Sequence, residues 1–199
     1  GASSITIHLR EDRRHITDKD LFKIVRLKNI RVNLEMAPTN KMLKIALKSK
    51  PNFVCIVPEK REELTTEGGL NLDKDNFRIK RIINNLKQKG IRTSLFIEPR
   101  IQEIKKAKKL DADCVELHTG KFCNLYNLNK KFFNEFVKIK KVAQYANIIG
   151  LEVHAGHGLT YQTAKMIKKI KNVKELNIGH FIISEAIFVG LKQAILNFK

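Results

Sequence analysis

The sequence predicts an α/β fold with a parallel sheet, and the architecture that suits it best is a (β/α)8 TIM barrel. Apolar runs of four to six residues alternate with longer amphipathic stretches along all 199 residues. This alternation indicates successive right-handed βαβ units. No break in composition and no low-complexity segment suggests a linker, so residues 1–199 are expected to form a single domain.

Seven strands are predicted from the short apolar runs. They cover residues 4–9, 32–36, 53–57, 93–97 and 114–118, a run that begins at Glu152, and residues 175–178. The helices that follow them are predicted at about 18–28, 39–50, a segment ending near 89, 100–110, 120–147, 160–171 and 182–198. Gly90 marks the end of the third helix, because glycine commonly follows the last helical residue.

Seven strand–helix units are one fewer than a closed barrel requires. Residues 1–5 resemble residues 110–114, where a predicted helix passes into a strand. We therefore expect one βα unit to belong before Gly1, so that this chain starts at the second strand of the barrel. An open seven-stranded sheet is the alternative.

The formal net charge of +19 would suit nucleic acid, an anionic membrane surface or phosphorylated small molecules. The lysines are spread over nearly every predicted helix, however, which is typical of solvated helix faces. Binding to nucleic acid or membrane is not expected, since no nucleic-acid module is recognisable and no apolar run approaches the ~20 residues of a membrane span. Three cysteines without CxxC spacing favour a reducing cytoplasm.

Ligands of parallel α/β folds bind at the carboxyl ends of the strands. All six histidines are predicted on that side: His8, His15, His118, His154, His157 and His180. Glu35 ends the second strand and Glu116 lies within the fifth, each among apolar neighbours. A carboxylate in such surroundings loses hydration, so its presence suggests a chemical use. For Glu35 the alternative is a buried salt bridge to Arg10 or a lysine.

Two corners of the chain could hold anions. Gly156 and Gly158 flank a histidine at a strand-to-helix turn, and Gly179 precedes the last helix, where backbone N–H groups are free. Arg10 could clamp a phosphate, whereas Arg13 and Arg14 are expected to pair with the acidic residues at 11 and 12. The long polar loop 58–69 is either a lid or a solvated connector. No metal centre is expected, because the turn between positions 154 and 157 breaks helical spacing and HExxH is absent.

Seven motifs carry a resemblance to a known family: HLREDRRHI (8–16), NLEM (33–36), VPEKR (57–61), TTEGG (65–69), ELHTG (116–120), AGHGL (155–159) and NIGH (177–180). In this order they resemble the pyridoxine 5′-phosphate synthase family, over nearly the whole chain. The resemblance implies a barrel that condenses 1-deoxy-D-xylulose 5-phosphate with 3-amino-2-oxopropyl phosphate, closes the pyridine ring of vitamin B6 and releases phosphate and water. It also implies that no cofactor or metal is used and that the protein is a homo-oligomer, an octamer.

The resemblance assigns roles by motif. His8 and Glu35 are the expected proton acceptors, His157 the proton donor, and Glu116 the group that stabilises developing charge. The expected substrate contacts are Arg10, His15 and Thr65 for the deoxyxylulose phosphate, and Gly158, Gly179 and His180 for the amino-ketone phosphate. The first strand and helix of the family supply further contacts and have no counterpart here. A different phosphosugar barrel enzyme, such as an isomerase or aldolase, and a non-enzymatic basic binding protein are the alternatives.

Overall fold

Strands alternate with helices through residues 1–59, 68–74 and 76–199, the part of the chain that the computed structural model describes. The strands are β1 (Ile5–His8), β2 (Val32–Met36), β3 (Phe53–Ile56), β4 (Arg92–Ile97), β5 (Cys114–His118), β6 (Glu152–Gly156) and β7 (Val173–Asn177). The helices are α1 (Asp18–Val25), α2 (Asn40–Ser49), α3 (Asn76–Lys87), α4 (Ile101–Lys109), α5 (Gly120–Asn127), α6 (Phe133–Ile148), α7 (Tyr161–Ile167), α8 (His180–Val189) and α9 (Leu191–Leu196).

The seven strands form one parallel sheet in chain order, from β1 to β7. Each strand pairs with the next one in sequence, because a right-handed crossover through a helix returns the chain beside the strand it has left. The α/β class and the parallel sheet predicted from the apolar runs are confirmed.

The sheet is strongly curved. Thr6 in β1 donates a hydrogen bond from Oγ1 to Oδ1 of Asn177 in β7, over 3.0 Å. In a flat sheet these two strands would lie roughly 29 Å apart, six spacings of about 4.8 Å. The first and last strands therefore approach each other, and one face of the sheet becomes concave.

The two faces of the sheet differ in chemistry. The convex face carries buried aliphatic residues such as Leu34, Ile56, Leu95, Val115 and Val153, which join the apolar side of the surrounding helices in one hydrophobic core. The concave face carries buried polar residues, and the alternation of side chains along each strand separates the two sets. The polar members are Asn33, Ser94, Glu116 and His154. The polar lining leaves the concave face available for chemistry.

Two predicted helices each prove to be two helices. The helix expected over 120–147 is interrupted after α5, where Asn129 adopts a left-handed backbone with φ 52°. The helix expected over 182–198 is interrupted at Gly190, with φ 79°. Asparagine and glycine tolerate this conformation better than other residues, so local backbone preference outweighs the continuous apolar pattern. Gly90, with φ 70°, ends the third helical segment as predicted.

Helix α8 departs from the amphipathic pattern. None of its residues is buried, and its large apolar side chains Ile187 and Phe188 are 80% and 84% exposed. Despite this apolar character, no helix in the described ranges has the length and hydropathy needed to cross a bilayer.

Candidate active site

His8 and Glu35 lie side by side at the carboxyl ends of β1 and β2. They are register partners in the sheet, so both side chains project from the concave face, and Nδ1 of His8 lies 3.7 Å from Oε2 of Glu35. Glu59, three residues beyond β3, approaches the other ring nitrogen, with Oε2 3.6 Å from Nε2. Burial, followed by the positive charge of Arg10 and His15, lowers the pKa of His8 to about 4. His8 is therefore neutral near pH 7 and can accept a proton.

Glu35 and Glu116 are carboxyl groups held close to their neutral form. Burial raises the pKa of Glu35 to about 7. Burial and then repulsion from Glu35 raise the pKa of Glu116 to about 8. Two carboxyls that have lost much of their hydration and repel each other divide into an acid and a base near neutral pH, as in other acid–base sites. Within the described ranges the ion-pair contact of Glu35 is with His8, where the salt-bridge alternative had named Arg10 or a lysine.

The carboxyl of Glu116 is fixed by neighbours from two alternate strands. Asn177 at the end of β7 donates from Nδ2 to Oε2 over 2.6 Å, and Sγ of Cys55 in β3 lies 3.7 Å from the same oxygen. The other oxygen, Oε1, occupies the space where a Cβ of Gly156 would stand. A Cβ at position 156 would therefore force the Glu116 carboxyl to move, which gives Gly156 a steric role as well as a place in the turn.

The corner between β6 and α7 presents His157 to the site. His157 has φ 79° and Gly158 has φ 76°, so the backbone turns through two successive left-handed residues. The hydroxyl of Thr119 lies 2.7 Å from the carbonyl oxygens of both Gly156 and His157 and donates to either of them. Thr119 lies between β5 and α5, so its hydrogen bond ties the His157 turn to the neighbouring βα connection.

His157 stands beside a second histidine that is paired with a carboxylate. The ring centroids of His118 and His157 are 4.8 Å apart, and Nδ1 of His118 lies 2.9 Å from Oε1 of Glu98. His118 holds the pKa of Glu98 down to about 2. Burial, then His118 and His180, lower the pKa of His157. An ionised Glu98 can accept a hydrogen bond from Nδ1 of His118, which orients the His118 ring beside His157.

Those residues expected to hold phosphates that the structure describes follow the carboxyl ends of strands at the same rim. Arg10 is 2% exposed, with Nε 3.9 Å from Oε1 of Glu59. His15 is exposed in the connection after β1 and is close enough to His8 to affect its pKa. Gly179 precedes α8, and His180 is its first residue. Thr65 lies outside the described residues.

Two expectations about side chains need correction. Arg14 pairs with Asp12 at 2.6 Å as expected, but Arg13 pairs with Asp18 at 2.7 Å, because its left-handed backbone, φ 58°, turns the side chain toward the start of α1. His154 does not lie at the carboxyl rim. It is buried within β6, and its Nε2 lies 2.8 Å from Oε1 of Glu152, at the opposite end of the strand.

Three residues of the site were missed from the sequence: Glu59, Glu98 and Asn177. Glu98 directly follows β4, Asn177 ends β7, and Glu59 follows shortly after β3. A polar residue at or just beyond the end of each predicted strand was the available signal.

Comparison with known proteins gives matches over the full length. Residues 1–199 match the family described as pyridoxal phosphate biosynthesis protein PdxJ. A pyridoxine 5′-phosphate synthase of Pelagibacter ubique (strain HTCC1062) is 56% identical over 199 residues, covering 100% of this chain and 83% of the relative. A protein of the same name from Sulfurihydrogenibium sp. (strain YO3AOP1) is 50% identical over 202 residues, covering 100% of this chain and 82% of the relative.

Solved structures with low identity share the fold. The YdjI aldolase from Escherichia coli K12 aligns with a TM-score of 0.63 at 10% identity, over 98% of this chain and 77% of that chain. A phosphoribosyl anthranilate isomerase aligns with a TM-score of 0.60 at 11% identity, over 100% of this chain and 86% of that chain. These likenesses concern the TIM-barrel-like fold alone. The family is decided by the full-length sequence matches, and the chain belongs to the PdxJ family of pyridoxal phosphate biosynthesis proteins.

Proposed function

We propose that this chain is a pyridoxine 5′-phosphate synthase that joins 1-deoxy-D-xylulose 5-phosphate to 3-amino-2-oxopropyl phosphate, closes the pyridine ring and releases phosphate and water. One observation carries the proposal beyond family membership. Proton-transfer groups with shifted pKa values, His8, Glu35 and Glu116, share the concave face of the sheet and meet the His157 corner at its carboxyl end.

Imine formation, dehydration and aromatisation are successive proton transfers, each of which needs an acceptor or a donor working near neutral pH. His8, neutral because of its lowered pKa, and Glu35, with a pKa of about 7, act as acceptors. His157 acts as the donor in its protonated form, which its lowered pKa makes a stronger acid than an ordinary imidazolium and therefore ready to give up its proton. Glu116, with a pKa of about 8, keeps its proton near neutral pH. It stabilises negative charge that develops on an oxygen during ring closure.

Two phosphorylated substrates need two anion sites. Arg10 and His15, together with Thr65, are proposed to hold the phosphate of the deoxyxylulose. The left-handed backbone at Gly158 and the start of α8 at Gly179 and His180 are proposed to hold the other phosphate. Support comes from the free N–H groups of a first helical turn, which attract anions.

The complete fold is proposed to be a closed (β/α)8 barrel, with one more parallel strand between β7 and β1. In such barrels, four side chains from alternate strands form one layer of the interior. Cys55, Glu116, Asn177 and Thr6 are linked in this way from β3 to β5, β7 and β1. The link from β7 to β1 fits the pattern if one strand lies between them. Protection of the edge amides of β1 and β7 from hydrogen exchange in the native protein tests this, and rapid exchange at both edges contradicts it.

The assembly is proposed to be a cytoplasmic homo-oligomer, an octamer according to the family resemblance. The three cysteines are all free, which suits a reducing compartment. Light scattering coupled to gel filtration measures the number of copies, and a monomer at micromolar concentration would contradict the assembly.

The activity is tested by mixing the purified protein with both substrates and following pyridoxine 5′-phosphate by mass spectrometry and phosphate release by a coupled assay. We expect product only when both substrates are present. Calorimetric binding of each substrate accompanies the assay. If both bind and no product forms, the proposed function is wrong.

A further inference from the structure

A second cluster of reactive side chains lies at the amino end of the sheet, away from the rim. Cys114 and Glu152 are the first residues of β5 and β6 and are register partners. His154 lies two residues beyond Glu152 in the same strand, so its side chain projects from the same, concave face. Cys114 and His154 are both buried, within a narrow crevice.

The ligand atoms of this cluster are already close together. Nε2 of His154 lies 2.8 Å from Oε1 of Glu152, Sγ of Cys114 lies 3.8 Å from that oxygen, and one ligand atom from each residue falls within 4.8 Å of the others. A tetrahedral zinc ion with bonds of about 2.0–2.3 Å holds its ligand atoms roughly 3.3–3.8 Å apart. Small side-chain movements would therefore bring these three atoms to coordination distance.

The opposite nitrogen of the histidine faces another carboxylate. Nδ1 of His154 lies 4.0 Å from Oε1 of Glu175 in β7. A carboxylate behind a histidine ligand fixes its tautomer and its ring orientation in metal sites. A proton on Nδ1, facing Glu175, leaves Nε2 with the lone pair that a metal requires.

Arg92 is the cation that competes for this position. Its Nη2 lies 3.3 Å from Sγ of Cys114 and 3.2 Å from Oε2 of Glu152. The side chain is 44% exposed, and its guanidinium also lies over the ring of Phe53 at 5.7 Å, so it can leave the thiol without losing every contact.

The charges around the cluster favour an added cation. Three carboxylates act electrostatically on the Cys114 thiol: those of Glu152 and Glu175, and that of Asp113, which accepts hydrogen bonds from Thr93. Arg92 is the guanidinium among them, and Lys87 reaches Asp113 at 3.5 Å from the outer side. The carboxylates thus outnumber these two cations, although the whole chain carries a formal charge of +19.

We propose that Cys114, Glu152 and His154 form a binding site for a thiophilic divalent cation, with Zn²⁺ as the ion that suits this donor set. A thiolate, an imidazole and a carboxylate are the ligand types that zinc prefers, and three protein ligands leave a fourth position for water. The ion fastens β5 to β6 at the end of the sheet opposite the rim. The site uses His154 without His157, so the sequence-based argument against a metal centre between those two histidines does not bear on it.

The test uses Co²⁺ as a spectroscopic probe on protein that has been dialysed against a chelator. Binding through Cys114 produces a thiolate-to-cobalt charge-transfer band, which Zn²⁺ then abolishes by displacement. We expect the band to be lost in Cys114→Ser and retained in Cys123→Ser, a matched change at another buried thiol. Absence of the band in the wild-type protein, or its persistence in Cys114→Ser, overturns the proposal.

Two further variants separate metal binding from a purely structural ion-pair cluster. Glu175→Gln should weaken Zn²⁺ binding about 10-fold, as loss of the carboxylate behind a histidine ligand does elsewhere. Arg92→Met should tighten it, because the competing cation is removed. Both affinities are measured by competition with a chromophoric chelator, after circular dichroism has confirmed folding. If Arg92→Met lowers the melting temperature and leaves Zn²⁺ affinity unchanged, the cluster serves only to pair charges and the site is rejected.

Discussion

The carboxyl of Glu116 packs directly against Gly156, and its Oε1 occupies the position that a Cβ of residue 156 would take. The two residues lie on adjacent strands, and Glu116 is the register partner of His154, two positions before Gly156. A side chain at position 156 would push the carboxyl away from Asn177, which donates to its other oxygen at 2.6 Å. The glycine before the His157 corner therefore also positions the carboxyl that is proposed to stabilise developing charge.

Gly156→Ala is expected to lower kcat by about 10²-fold, the usual scale for losing a positioned acid or base. The displacement of Glu116 is the cause, so Glu116→Gln and the double variant should lose a similar amount. Steady-state kinetics on the three proteins form a double-mutant cycle. Fully additive losses would show that position 156 acts independently of Glu116.

Glu116→Gln is expected to stabilise the protein at high pH. The folded-state pKa of Glu116 is raised to about 8 from 4.5, so the native state holds a proton that the unfolded state releases. The contribution of protonated Glu116 to the free energy of unfolding is complete below pH 4.5 and is lost as the pH rises through 8. Between pH 6.5 and 9 the wild-type free energy of unfolding should fall by roughly 2 kcal/mol more than that of the variant. Urea denaturation at both pH values measures the difference, and parallel curves would contradict it.

The dependence of kcat/KM on pH should be bell-shaped and narrow. An ionised Glu35, with a pKa of about 7, is needed on the acid side, and a protonated Glu116, with a pKa of about 8, on the basic side. The apparent pKa values of the two limbs describe Glu35 and Glu116 together, because the ionisation of each carboxyl affects that of the other. In Glu116→Gln the basic limb should disappear from the residual activity. A basic limb that stays near pH 8 in this variant would assign it to another group.

His157→Asn is expected to reduce kcat by ~10²-fold or more, as loss of a general acid does. Asparagine is preferred to alanine as the test, because residue 157 has φ 79°, where alanine adds strain on the order of 1 kcal/mol. The melting temperature of His157→Asn should therefore stay closer to wild type than that of His157→Ala. Wild-type turnover in His157→Asn would remove the residue from its role as proton donor.

Glu98→Gln is expected to lower kcat about tenfold while leaving KM nearly unchanged, because Glu98 acts through His118 and touches no reacting atom. The variant replaces the carboxylate whose Oε1 lies 2.9 Å from Nδ1 of His118, where it can accept a hydrogen bond. NMR of the imidazole nitrogens should show His118 shifting toward its other tautomer. An unchanged tautomer with full activity would leave Glu98 with a structural role only.

Much of the site could be predicted from the amino-acid sequence alone. Glu35 and His8 each end an apolar run, and parallel strands deliver such residues to the same rim. Glu59 and Glu98 could not be found with equal ease, because their partners, His8 and His118, are 51 and 20 residues away along the chain, and only the folded sheet brings each pair together. The breaks at Asn129 and Gly190 were missed because a continuous apolar pattern hides a single left-handed residue.

The sequence by itself determined the α/β class, the parallel strand order, the family and the rim positions of His8, Glu35 and His157, because strand periodicity and short motifs are local properties. Only the tertiary structure decided the protonation of these groups and the position of His154. A pKa depends on burial and on charges brought close from distant parts of the chain, as Glu35 and Glu116 are. The same long-range packing brings Cys114 beside Glu152 at the start of β6 and so forms the proposed metal site, which no sequence motif predicts.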